Sequence, residues 1–348
     1  MNTSSSAQRK RSPQKTFRRK NTGRSITRDL HGNPREAGLV VGVDIGGSNL
    51  RVALAEMHGT VLGKWRASTK VTSSPEMVVA QIEQGVGCLL KQCGASRSSL
   101  MSVAAGAPGV TNADTGMVIA TSFLRGWSNV PFQKMLESSL HVPAAVENDV
   151  RMAAIGEHWI GVARGVDDFV FLALGTGIAA GIFANGRLLR GTRCSAGEVG
   201  YMYVPGASPE AVKPGAPGSL ESSLGGTGIR QEWLKADGID AKLRDLTATE
   251  IFDLAAQGDP RAERILDRSA NLLAYAVYNV SLVLDSSLFV LGGGVGMSSV
   301  LRDATQRILG RYNEPVLPRL VTSTLGEDAQ LMGTIQLAMT VAASKRKL

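Results

Sequence analysis

Cysteine is nearly missing from this chain: Cys88, Cys93 and Cys194 are the only three in 348 residues. So sparse and odd a set builds no disulfide framework and fits a reducing compartment, which makes the cytoplasm the expected location. Long apolar runs are missing as well. Apolar residues make up 43% of the chain, yet no stretch reaches the ~20 residues that a membrane-spanning helix needs. The basic N-terminal segment has no apolar stretch of the kind a secretory signal carries. A P-loop is also absent, because Gly63-Lys64 lacks both the upstream glycine spacing and the following hydroxyl residue.

An excess of one charge sign is lacking once the first residues are set aside. The formal net charge is +8, but residues 1–40 hold ten Lys or Arg against Asp29 and Glu36, leaving 28 of each sign beyond them. The body of the protein therefore carries no charge signature for specific nucleic-acid binding. Residues 1–38, rich in Ser, Arg and Lys, are expected to be a disordered, solvated tail. Weak attraction to a polyanion and a targeting role stay open, although a transit peptide's amphipathic stripe is missing.

What the chain has in quantity is glycine, 40 residues, placed between buried runs. Leu39–Asp44 reads as a buried strand, Gly46-Gly47 as a turn, Asn49–Glu56 as a second strand, and Val61–Trp65 as a third after His58-Gly59. Asp168–Leu174, Gly175-Thr176-Gly177, Ile178–Ala184, Asn185-Gly186 and Arg187–Arg190 repeat that plan. Aligning Gly47 with Gly177 sets the offset at 130 residues. Helices are expected at 75–92, 131–140, 149–157, 228–236, 248–256, 259–284, 297–310 and 327–344, further strands at Ser102–Gly106, 143–147 and Leu288–Leu291, and a loop at 205–218. Two copies of a meander followed by helices predict two α/β domains of like fold facing each other, with a ligand site in the cleft between them.

Polyphosphate is held by backbone N–H groups at close approach, which favours glycine at the contact. Three places qualify: Asp44-Ile45-Gly46-Gly47-Ser48-Asn49; Leu174-Gly175-Thr176-Gly177; and Leu291-Gly292-Gly293-Gly294-Val295, which precedes a helix. Each alone is also an ordinary turn. Gly175 to Gly181 nearly matches a dinucleotide fingerprint, but it leads into a strand rather than a helix, so that class is excluded. Asp149 follows a strand within Glu147-Asn148-Asp149 and opens a helix. As read from the residues it is either a helix N-cap or a general base. Glu198 and Glu221 lie near glycine turns and serve either as acceptors for sugar hydroxyls or as plain surface acids.

From about Val40 to Ala343 the chain resembles the ROK family (repressors, open reading frames and kinases), especially its glucokinases. The resemblance runs through the three glycine segments, Gly106-Ala107-Pro108-Gly109, Gly126-Trp127 to Pro131, Glu147-Asn148-Asp149, Asn185-Gly186 to Arg190-Gly191, and Ala196-Gly197-Glu198-Val199-Gly200, in order. It implies an actin-like, ribonuclease-H-like ATPase fold in two lobes with a central cleft, and often a homodimer. It implies ATP and Mg²⁺, with Asp44 a candidate for holding the metal through water. The nucleotide-binding residues would be Asp44, Gly46, Gly47, Ser48, Asn49, Gly175, Thr176, Gly177, Gly292, Gly293 and Gly294. It further implies phosphorylation of a hexose 6-hydroxyl with Asp149 as base. Asn148, Glu198 and Glu221 would bind sugar hydroxyls, with Gly106 and Tyr201 at the same pocket. The expected division is a tail at 1–38, a lobe at 39–146 completed by a C-terminal helix at 327–345, and a lobe at 147–326.

Two departures bear on the sugar. Tyr201 stands where the family usually has His, and Phe123 where it often has Asn. The open alternatives are a kinase for fructose, mannose or an amino or N-acetyl sugar, the use of polyphosphate as donor, and a sugar-sensing regulator. A regulator of this family carries an N-terminal helix-turn-helix, for which residues 1–38 are too short and too polar. The family's cysteine-rich zinc run would fall near 207–219, a stretch with neither Cys nor His. A tetrahedral zinc site draws on such N and S ligands, so metal analysis of the purified protein is expected to find no stoichiometric zinc; one equivalent would overturn this.

Overall fold

The computed structural model describes residues 38–69, 74–121, 123–207, 216–236, 238–312 and 317–345. The basic tail lies outside these residues. Strand β1 (Leu39–Ile45) is buried along its whole length, as a run of Val and Leu with no polar alternation requires of a central strand. It turns into β2 (Asn49–Glu56) and then β3 (Val61–Ser68), whose regular alternation of half-buried and exposed residues marks a sheet edge. Helix α1 (Pro75–Cys93) starts at Ser74, whose side chain accepts from the Met77 amide, and stops at Gly94 in the left-handed region. Then come β4 (Leu100–Ala107), β5 (Val110–Asn112), β6 (Met117–Ala120), β7 (Ser128–Val130), α2 (Phe132–Leu140), β8 (Ala144–Asn148) and α3 (Asp149–Ile160).

The second half repeats the scheme with β9 (Phe169–Leu174), β10 (Ile178–Ala184) and β11 (Arg187–Leu188). Four helices follow: α4 (Ser219–Leu224), α5 (Gly226–Lys235), α6 (Ala248–Ala256) and α7 (Pro260–Leu284). The half closes with β12 (Leu288–Gly292), α8 (Gly293–Gly296), α9 (Ser299–Leu309), β13 (Arg319–Thr322) and α10 (Ala329–Lys345). The first sheet runs β3-β2-β1-β4-β8 and the second β11-β10-β9-β12-β13. In both, the first three strands are antiparallel neighbours and the last two are parallel to the first. The internal repeat is therefore a duplicated sheet.

The register of the repeat differs from the sequence alignment. Ile45 pairs with Leu50 across the first turn, whereas Leu174 pairs with Ile178 across the second. The first turn is one residue longer, so Gly46 is the counterpart of Gly175, and Asn49, not Gly47, is the counterpart of Gly177. Both donate their amide back across the turn, to Asn49 O at 2.8 Å and to Gly177 O at 3.0 Å. Other expected boundaries also change. The helix expected at 297–310 starts at Ser299, because Ser298 caps α9 through the Leu301 amide, and the short α8 ahead of it was not expected. The expected strand through Arg190 pairs only as far as Leu188. The small sheet β5-β6-β7 and strand β13 were not expected at all. Their strands have three or four residues each, too short to show a period, and only pairing makes them strands.

Helix α10 returns to the first sheet, where Leu331, Ile335, Ala338 and Ala342 pack with Val40, Ala53, Ala55 and Ala104. Helix α3 lies on the second, with Val150, Ala153 and Ala154 against Phe169 and Phe171. The two helices cross at glycine. A methyl group on Gly156 would overlap the Ala329 carbonyl, and one on Gly333 the Met152 carbonyl. Gly42 of β1 leaves the same kind of room for Thr334 and Ile335. Among the described residues, no helix is long and apolar enough to cross a membrane.

Replacing Gly333 by Ala is expected to cost about 1–3 kcal/mol in urea unfolding, the usual effect of overpacking. Gly87→Ala, at a helical position with nothing within 4 Å of the added methyl, is expected to be neutral or stabilising by about 0.5–1 kcal/mol. Equal behaviour of the two variants would show that the helices do not meet this closely.

Candidate active site

Three parallel strands, β1, β4 and β8, end on one side of the first sheet, and their register aligns Asp44 with Gly106 and Gly106 with Glu147. The carboxyl ends of strands are where α/β sheets offer ligand sites. Asp44 is buried and lies across the hairpin from Arg51, whose Nε and Nη2 reach Asp44 Oδ2 at 2.7 and 2.6 Å. Burial pushes the Asp44 carboxyl above its usual range, and the Arg51 charge opposes this. Arg51 also donates to Gln330 Oε1 at 3.2 Å, so α10 shares the anchor. The turn itself is pinned, since Thr69 Oγ1 donates to Gly46 O at 2.9 Å and Thr69 N to Ser48 O at 3.1 Å.

Asn148, not Asp149, caps α3. Its Oδ1 accepts from Arg151 N at 3.0 Å, and its backbone is extended at φ −64° and ψ 141°. Asp149 is thereby relieved of the capping role that its sequence position suggested. Its Oδ1 accepts from Val150 N at 2.9 Å and from Asn148 Nδ2 at 3.1 Å. Asn148 Nδ2 also donates to Gly109 O at 2.9 Å. Both Nδ2 protons of Asn148 are thus engaged, so a sugar oxygen accepting from Nδ2 would replace one of these bonds, while Oδ1 keeps a second acceptor site. Gly106 packs closely beside Asp149, because a Cβ there would crowd Met152 Cγ at 3.1 Å and touch Asp149 Cα at 3.5 Å. Burial raises the Asp149 carboxyl to about 7, helped by the charge of Asp44 and, more weakly, of Glu198, against the pull of backbone hydrogen bonds.

A cavity of about 540 Å³ opens next to this edge. Gly109, Phe123, Thr176, Gly177, Glu198, Tyr201 and Glu221 line it. Glu221, in the first turn of α4, accepts from Ile178 N at 2.8 Å and so ties α4 to the start of β10. Burial raises the carboxyls of Glu198 and Glu221. Arg151 opposes the shift at Glu198, and the Ile178 amide opposes it at Glu221. The Tyr201 hydroxyl titrates above its usual value, through burial and then the charges of Glu198 and Glu221.

Phe123 bridges the glycine turns. A methyl on Gly47 would lie 3.5 Å from its Cβ, and one on Gly177 would lie 3.6 Å from its Cζ. The third glycine run joins the second turn through Gly293, whose φ of 78° lets it pack on Leu174, and the start of α5 joins the same turn through Gly226 N, which donates to Gly175 O at 2.8 Å. Of the expected site residues, Asp44, Gly46, Gly47, Ser48, Asn49, Gly106, Asn148, Asp149, Gly175 and the Gly292–Gly294 run are not among the cavity-lining residues. Gly175 and Gly294 have open space where a Cβ would be, apart from Gly177 O at 4.0 Å from the former, which leaves their backbones approachable.

Sequence reasoning gave no role to Glu147, Arg151 or Arg190, an ionic cluster in which Glu147 and Arg151 are buried and Arg190 reaches the surface. The Glu147–Arg151 spacing of four residues, a helix-type ion pair, was the available signal. It also missed Gln231 and Thr227, which line the cavity from α5. Among the described residues no cluster of His, Cys, Asp or Glu is arranged to hold a metal ion. Residues 208–215, on which most of the zinc expectation rests, lie outside the described residues.

The folded Asp149 carboxyl, at about 7, holds its proton more tightly than in the unfolded chain, where a carboxyl titrates near 3.9. Its ionisation therefore weakens the fold progressively as pH rises between these values, and fully above them. Asp149→Asn is expected to stabilise the protein relative to the parent more at pH 8 than at pH 5. A difference in urea midpoint that does not change with pH would show an ordinary carboxyl.

Comparison with known proteins accords with this layout. Residues 40–341 match the ROK family. The chain is 30% identical over 315 residues to a glucokinase of Halalkalibacterium halodurans, covering 84% of this chain and 92% of that protein. It is also 30% identical over 256 residues to a beta-glucoside kinase of Listeria innocua, covering 74% and 82%. The crystal structure of a ROK family glucokinase from Streptomyces griseus in complex with glucose and AMPPNP superposes with a TM-score of 0.70 at 26% identity, over 87% of this chain and all of that one. The duplicated sheet is that of the actin-like ATPase fold, and the chain belongs to the ROK family.

Proposed function

We propose that this protein transfers the γ-phosphoryl group of ATP to the 6-hydroxyl of a hexose, glucose first, with Asp149 as general base. The observation that carries the reading is the Asp149 carboxyl itself. It stands at the carboxyl edge of the sheet beside Gly106, relieved of capping by Asn148, and is held near neutrality by burial and the Asp44 charge. A base whose pKa lies near working pH combines readiness to accept a proton with adequate basicity. The names of the relatives, glucokinase and beta-glucoside kinase, support a sugar acceptor.

In this reading Glu198 and Glu221 accept hydrogen bonds from sugar hydroxyls and fix the ring. The backbones of Gly46, Gly47, Gly175, Thr176, Gly177 and the Gly292–Gly294 run approach the nucleotide phosphates. Asp149 takes the proton of the 6-hydroxyl as the new O–P bond forms and the bond to the β-phosphate oxygen breaks. The donor set suits a water-bound Mg²⁺: Arg51 engages Asp44 Oδ2, while Oδ1 accepts no hydrogen bond among the described residues. Bound there, Mg²⁺ would neutralise charge on the phosphates. Phe123 and Tyr201 present aromatic surface to the sugar side of the cavity, so another hexose or amino sugar is the second choice of acceptor.

The test is ADP release and sugar-phosphate formation over a hexose panel, with polyphosphate as the alternative donor. The parent is expected to be active, with kcat/KM rising through pH of about 7 and levelling above it, because only the ionised carboxyl accepts a proton. Asp149→Asn is expected to lower kcat by about 10²–10⁴ with folding intact. A near-normal rate in that variant would remove Asp149 from the role. Sugar binding without turnover on any acceptor would favour a sensor.

A further inference from the structure

The strand end that carries Asp149 and the loop that carries Glu198 are joined by buried charge. Glu147, fully buried at the penultimate position of β8, receives Arg151 Nη1 at 3.1 Å, Arg190 Nε at 2.6 Å and the Asn148 amide at 2.9 Å. Arg151 is 2% exposed. Its Nη2 lies against three carbonyl oxygens of one loop: Cys194 at 2.7 Å, Ala196 at 3.3 Å and Arg190 at 3.5 Å. The loop is wrapped around a guanidinium whose other arm is fixed to the Asp149 strand.

This loop does not hold its path by local preference. Cys194 has a φ of 57°, a left-handed conformation uncommon for a residue other than glycine, and its carbonyl is the one Arg151 grips most closely. Glu198 follows two residues after the Ala196 carbonyl. The residue directly before it, Gly197, accepts from Ala180 N of β10 at 2.7 Å. Glu198 thus follows directly on two anchored carbonyls, Ala196 O held by Arg151 and Gly197 O held by β10. A plain structural tie between strand and loop needs no buried ions, since apolar packing commonly does as well. A planar fork of N–H donors, by contrast, fixes direction as well as distance.

We propose that Glu147, Arg151 and Arg190 form a positioning unit that sets the place of Glu198 relative to Asp149, and that this unit governs recognition of the sugar rather than the nucleotide. The inference rests on the functional reading above. Arg190 is the accessible arm, with its side chain 40% exposed, and is the one to remove first. Arg151→Met would leave Glu147 buried with a single cationic partner and endanger the fold.

The experiment compares Arg190→Gln with the parent, in the native background and in Glu198→Gln, by steady-state kinetics in both substrates and by amide hydrogen exchange. Arg190→Gln is expected to raise the sugar KM and lower kcat/KM for the sugar by up to about 100-fold, the scale of small misplacements, with the ATP KM unchanged. In the Glu198→Gln background the same change is expected to have little further effect, and exchange over residues 191–198 is expected to be faster. Sugar and ATP KM values that move together, or an equal effect in both backgrounds, would overturn the proposal. Should the parent phosphorylate no sugar, the functional reading fails, and unaltered exchange over 191–198 then overturns the positioning unit on its own.

Discussion

Helices α3 and α10 meet where neither has a side chain. Gly156 admits the Ala329 carbonyl and Gly333 admits the Met152 carbonyl, so the two backbones come together more closely than any Cβ would permit. Because α3 packs on the second sheet and α10 on the first, that crossing sets the two sheets against each other. The turns, the cavity and the charged residues between the sheets take their spacing from it. Interiors are close-packed and do not deform smoothly, so one carbonyl-to-glycine contact constrains atoms far along each helix. The start of α10 adds a second tie, since Gln330 accepts from the Arg51 that holds Asp44.

Within this frame the site is a gathering of carboxylates whose charges are handled unequally. Asp44 has Arg51, and Glu147 has Arg151 and Arg190. Asp149 has neutral donors only, Val150 N and Asn148 Nδ2, and stands within reach of the charge on Asp44. Desolvation and that like charge move the Asp149 carboxyl toward neutrality. The proposed base is the acid left without a cation, and its paired neighbours supply field and position. The same division appears at the cavity, where Glu221 takes a backbone amide and Glu198 feels Arg151 at a distance.

The sheet duplication was legible in the sequence because a strand–turn–strand–turn–strand plan leaves a visible trace of buried runs and glycine. The register was not. The two turns differ by one residue, and only the pairs Ile45–Leu50 and Leu174–Ile178 reveal which glycine answers to which. Asp149 illustrates a similar limit. Its residue type and place after a strand left cap and base both open, and the Asn148 side chain bonding to Arg151 N assigns the cap to Asn148 instead. Arg151 and Arg190 carried little signal, because a buried ion pair and a surface ion pair have the same letters.

By itself, the sequence determined the fold class, the glycine-rich turns, the acids that gather at the site and the family, since each depends on local chemistry in a fixed order along the chain. The tertiary structure decided what those acids experience. Burial, the distance between like charges and the partner each carboxylate finds are properties of segments remote in sequence. Glu147 meets Arg190 across 43 positions, and no pattern along the chain encodes that meeting. Phe123 came to bridge Gly47 and Gly177 in the same way, because hairpins from the two sheets converge there only once α3 and α10 have crossed.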